Sequence, residues 1–128
     1  MRNAQSNAFT YNDAIIAFVK CKQWKQALGL LAEMRRVNLA PNVITYNAAI
    51  SACEKCEQWQ QALSLLAETR SVNLAPDVIT YSAAIIACEK CQQLQQALGL
   101  LAEMRSVSVL PNVIAYSAVI IACLKGEQ

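Results

Sequence analysis

The chain has 128 residues, 55% of them apolar, and its 11 basic and 9 acidic side chains leave a net charge of +2. So small a surplus excludes the broad basic field of a non-specific nucleic-acid binder. No apolar run approaches the ~20 residues of a membrane-spanning helix, and the absence of histidine, a glycine-rich phosphate loop or a carboxylate cluster argues against catalysis.

Residues 1–7 form a polar leader, too short for a targeting segment. Residues 8–42, 43–77 and 78–112 are copies of one 35-residue unit, and 113–128 begins a fourth. Aligned without gaps, the first two copies agree at 23 of 35 positions and the second and third at 25 of 35. A fixed period of this length is the signature of a solenoid, in which each unit buries its apolar face on its neighbours. The truncated fourth copy suggests a piece of a longer protein. Charge is uneven: the first copy carries five cations and two anions, the second two and four, the third two of each.

In the first copy the pattern predicts helices over 10–21 and 24–36, with Thr10 and Asp13 as a weak capping box. In the second, Tyr46, Ala49, Ile50 and Cys53 recur at i, i+3, i+4 and i+7, a stripe of helical period. Trp59, Leu63 and Leu66 set a second stripe, polar residues 54–58 form the turn, and Thr45 is a plausible N-cap. Pro76 closes the unit, as Pro41 does in the first copy and Pro111 in the third. The third copy predicts helices over 80–91 and 94–105, and the fourth one helix over 115–125.

Small residues recur where helices should touch: Ala27, Ala62 and Ala97, and Ala32, Ala67 and Ala102. The tryptophans and the four tyrosines are expected in the inter-helix core. The expected fold is all-α, a right-handed superhelical solenoid of helix-turn-helix repeats. Apolar side chains such as Ile120 and Ile121 are expected to be uncovered at its C-terminal end, which makes self-association there an expectation. Cys53-x-x-Cys56 and Cys88-x-x-Cys91 invite a zinc reading. Repetition explains them better, since the same slots hold Cys21 and Cys123 singly. No metal or other cofactor is expected.

A 35-residue helical hairpin carrying V-I-T-Y-N, then C-E-K-C, then Q-A-L-x-L-L-A-E-M-R and a loop ending P-N or P-D resembles the pentatricopeptide repeat of the plain 35-residue type. The resemblance covers residues 8–128. It implies binding of single-stranded RNA in mitochondria or chloroplasts, with one base read per repeat, and roles in RNA processing, editing, stability or translation.

In that family the fifth and last residues of a repeat read the base. Here the resemblance implies Asn12 with Asn42, Asn47 with Asp77, Ser82 with Asn112, and Ser117 alone. The base-sandwiching position falls on Phe9, Ile44, Ile79 and Ile114. A phosphate-meeting lysine falls on Lys20, Lys55, Lys90 and Lys125. The implied site is 5′-pyrimidine-U-A-(purine)-3′. For the fifth-position residues, capping of helix N-termini uses the same residue types and is the competing reading. A peptide-binding scaffold is the alternative function.

Overall fold

The computed structural model describes the backbone of residues 4–126 and the side chains from residue 10 onward. Seven α-helices follow one another, with no strand among the described residues. They are α1 (Ala4–Lys20), α2 (Trp24–Arg36), α3 (Val43–Lys55), α4 (Trp59–Ser71), α5 (Val78–Lys90), α6 (Leu94–Ser106) and α7 (Val113–Gly126). None is long and apolar enough to cross a membrane.

The starts of α3, α5 and α7 are set by the residue after each proline. Asn42 and Asp77 are the N-caps of α3 and α5, each accepting the N–H of the threonine three residues on, at 3.0 Å. Thr45 and Thr80 return the bond, their hydroxyls accepting from the N-cap backbone N–H at 3.1 and 3.0 Å. These are reciprocal capping boxes, which satisfy two orphan donors at once. Thr45 is therefore the third helical residue and not the N-cap. Asn112 also accepts from the backbone of Ala115, at 2.9 Å. Thr10 and Asp13 do not open α1, which already begins at Ala4.

The helix ends are equally uniform. After α1, Gln23 N–H reaches Phe18 O and Lys22 N–H reaches Val19 O, a Schellman motif. The same pairing closes α2 through α6. The left-handed position of each motif is held by Lys22, Asn38, Glu57, Asn73, Gln92 or Ser108, with φ between 56° and 64° and never glycine.

First helices (α1, α3, α5, α7) pack in an unbroken row. Each second helix packs on its own first helix and on the next one, while α2, α4 and α6 do not pack on one another. A two-layer stack that is tight in one layer and splayed in the other curves toward the tight layer. The first helices therefore line the inner side of the superhelix.

The core follows the predicted stripe on the first helices: Tyr46, Ala49, Ile50 and Cys53 are all fully buried, as are Tyr81, Ala84, Ile85 and Cys88. On α4 the stripe is turned slightly. Ala62, Leu65, Leu66 and Thr69 are buried, while Trp59 and Leu63 pack at its margin. Ala27, Ala62 and Ala97 are buried as expected, but Ala32, Ala67 and Ala102 are exposed. The latter three face away because a second helix is covered on one side alone. Tyr116 is 40% exposed and not a core wedge. Among the described residues no second helix follows α7 to cover it. Ile120, Ile121 and Leu124 are exposed on the same helix.

Candidate nucleic-acid interface

The fifth and last residues of the predicted units come together across the loops. Asn47 Nδ2 donates to Asp77 Oδ1 at 3.2 Å, and Ser82 Oγ donates to Asn112 Oδ1 at 3.3 Å. Asn12 and Asn42 are joined through a third side chain, the Thr45 hydroxyl, which lies 2.7 Å from Asn12 Oδ1 and 2.9 Å from Asn42 Oδ1. The Thr80 hydroxyl likewise lies 2.5 Å from Asn47 Oδ1 and 2.8 Å from Asp77 Oδ1. Ser117 is exposed on α7.

The capping question divides cleanly between the two positions. The last residues Asn42 and Asp77 cap helices. The fifth residues Asn12, Asn47 and Ser82 lie well inside theirs and cap nothing. Ser82 is nonetheless buried, whereas Asn12 and Asn47 are half-exposed.

Three residues before each of Asn47, Ser82 and Ser117 an apolar side chain is exposed. Ile44, Ile79 and Ile114 are 61%, 60% and 54% exposed at the starts of α3, α5 and α7. The side chain of Phe9, the fourth member of this series, lies outside the described residues. Exposed valines recur at the same period, Val37, Val72 and Val107, at the opposite ends of the hairpin loops.

Burial works against the charge on Asp77. Hydrogen bonds from the Thr80 backbone and hydroxyl, from Asn47 and from the Ile79 backbone outweigh it and hold its carboxyl below the ordinary aspartate range. It is therefore a carboxylate at neutral pH, an acceptor without a proton to give.

Two lysines at the far ends of the first helices are already engaged. Lys90 pairs with Glu54, and Lys125 with Glu89, each across one repeat junction. Lys20 and Lys55 are exposed and outside these pairs. Sequence reasoning missed the two glutamates. The signal was present in the offset, since each glutamate lies one period plus one residue before its lysine.

The second helices carry a separate network. Tyr46 donates to Glu68 at 2.8 Å and Tyr81 to Glu103 at 2.9 Å, while Arg35 and Arg70 of the preceding repeat bridge to the same carboxylates. Burial, and then the bond to Glu103, push the Tyr81 hydroxyl up to about 12. A pocket of about 390 Å³ opens between the loops, lined by Leu39, Pro41, Tyr46 and Val72 among others, and shares no residue with the pairs. No cluster of cysteine and carboxylate ligands fit for a metal occurs among the described residues.

The model of the PPR repeat family matches residues 6–53, 41–90 and 76–125. The chain belongs to the PPR repeat family. This repeat array resembles the crystal structure of the pentatricopeptide repeat protein PPR10 in complex with an 18-nt psaJ RNA element. The TM-score is 0.82 at 28% identity, over 91% of this chain and 17% of PPR10. PPR10 from maize matches at a TM-score of 0.80 and 26% identity, over the same shares of the two chains. This PPR chain thus spans about a sixth of the relative it resembles. It matches no curated protein.

Proposed function

We propose that this PPR chain binds single-stranded RNA along the inner row of first helices, one base per repeat, with repeats at 8–42, 43–77 and 78–112 and a partial fourth at 113–128. The observation that carries the reading is that bonded polar pairs and exposed isoleucines recur at one period along the first helices. A base slid between Ile44 and Ile79 keeps its faces on apolar carbons and its edge on Asn47 and Asp77. The RNA complex of PPR10 supports the same class of partner.

The chemistry of the second pair favours uracil. Asn47 has one amide N–H left after bonding Asp77, and Asp77 offers carboxylate lone pairs. Uracil presents the complement, a carbonyl acceptor beside the N3–H donor. The full proposed site is 5′-pyrimidine-U-A-(purine)-3′, with Asn12 and Asn42 on the first base, Ser82 and Asn112 on the third, and Ser117 on the fourth.

Lys20, Lys55, Lys90 and Lys125 are proposed to meet phosphates, the last two by exchanging Glu54 and Glu89 for the strand. Each phosphate contact adds roughly −0.7 to the slope of log affinity on log salt. The chain acts as a scaffold without catalysis, in organellar RNA processing, editing, stability or translation.

Replacing Asn47 by Thr should move the preference at the second base from U toward G. The check is equilibrium binding to four oligonucleotides differing at that base, and an unchanged order of affinities rejects the register. The exposed face of α7 is proposed to drive self-association. Sedimentation should then show a mass that rises with protein concentration, and a constant monomer mass rules it out.

A further inference from the structure

We infer that Thr45 and Thr80 decide which atoms of the preceding repeat's asparagine face the base, and are positioning residues for base selectivity. The inference rests on the RNA-binding reading above. Both threonines are buried, 1% and 0% exposed, so water does not compete for their hydroxyls.

Each hydroxyl already accepts a backbone N–H, from Asn42 at 3.1 Å and from Asp77 at 3.0 Å. Its single proton is therefore directed outward. The acceptors within reach are Asn12 Oδ1 and Asn42 Oδ1 for Thr45, and Asn47 Oδ1 and Asp77 Oδ1 for Thr80. An amide turned by 180° exchanges an acceptor for a two-proton donor and would read a different base edge. With its oxygen toward Thr80, Asn47 keeps Nδ2 toward Asp77 and the groove. The reverse orientation would set the amide oxygen against the Asp77 carboxylate.

The junction after the third repeat separates this role from capping. Alanine stands at position 115, where the others have threonine. Asn112 still caps, accepting from Ala115 N–H at 2.9 Å, but no hydroxyl reaches Ser82. A helix start in this array therefore keeps the N-cap bond without the hydroxyl. The residue beyond the cap is free to hold the reading side chain of the repeat before it.

The test is the affinity of the whole chain for oligonucleotides carrying each of the four bases at position two, and separately at position three. Thr80→Val should lower discrimination for U at the second base by roughly three- to tenfold, the worth of one orienting hydrogen bond. Discrimination at the third base should stay unchanged. Thr80→Ser, which keeps the hydroxyl, should restore the wild-type ratio.

If Thr80→Val weakens all four oligonucleotides equally, or if Thr80→Ser fails to restore the ratio, the hydroxyl is a capping group alone and the inference is overturned. Failure of the wild-type chain to discriminate any base would instead reject the RNA-binding reading beneath it.

Discussion

Cys53 and Cys88 show how far a single residue could be read from sequence. Their i, i+3 partners made a metal motif, yet repetition argued for packing, and packing is what they do. Burial, reinforced by the neighbouring Cys56 and Cys91, pushes their thiols up to about 12 and about 11. Only a thiolate alkylates or binds zinc readily. Mass spectrometry after brief iodoacetamide treatment at neutral pH should find Cys21 labelled and Cys53 and Cys88 unlabelled in the folded chain. Fast labelling of the buried pair would contradict the packing described for the first helices. Cys56 and Cys91 have a role that spacing concealed. Their thiols donate to Lys22 O and Glu57 O of the preceding turn, at 3.3 and 3.2 Å. Such a bond joins residues 34 apart, one less than the period, and no motif within one unit reveals it. Fully buried Tyr46 and Tyr81 were legible because their stripe has helical period. Exposed Ala67 was not, because its size fits a contact as well as a surface.

Among the elements, α2 was legible to the residue, because a polar turn opens it and a proline-containing loop follows it. The helices α3 and α5 begin two residues before the threonine that the sequence pattern suggests as a cap. The reason is local: an N-cap oxygen accepts the N–H three residues on, so in P-N-V-I-T the asparagine caps and the threonine reciprocates. The helix ends hold six left-handed residues that are not glycine. Such a conformation costs a side-chain-bearing residue about 1–2 kcal/mol. Glycine removes that cost but loses more entropy on folding. Glu57→Gly should therefore stabilise the array by about 0.5–1 kcal/mol, read as a higher urea midpoint. A lower midpoint would mean that the Glu57 side chain makes contacts the helix end depends on. Exposed ion pairs such as Arg70 with Glu103 add at most about 1 kcal/mol each, so they contribute little to stability.

At the scale of the molecule, the period alone pointed to a solenoid, because a unit with one apolar face must stack. The direction of curvature was beyond the sequence. It follows from which layer stays in contact, and that depends on the smaller side chains of the first helices, such as Ala49, Ala52, Ala84 and Ala87, all fully buried. The bonded polar pairs and the exposed isoleucines recur along the row of first helices that this curvature puts inside. Three or four bases give modest affinity, since ordering a flexible strand offsets much of the stacking gain of about 1–3 kcal/mol per base. Sequence preference is thus a sharper readout than tightness. The most direct measurement is selection of ligands from a random RNA pool by the whole chain, followed by sequencing. Pyrimidine-U-A-purine should be enriched, with U at the second place the most strongly selected. Enrichment of an unrelated motif, or a pool left unchanged after repeated rounds, would contradict it.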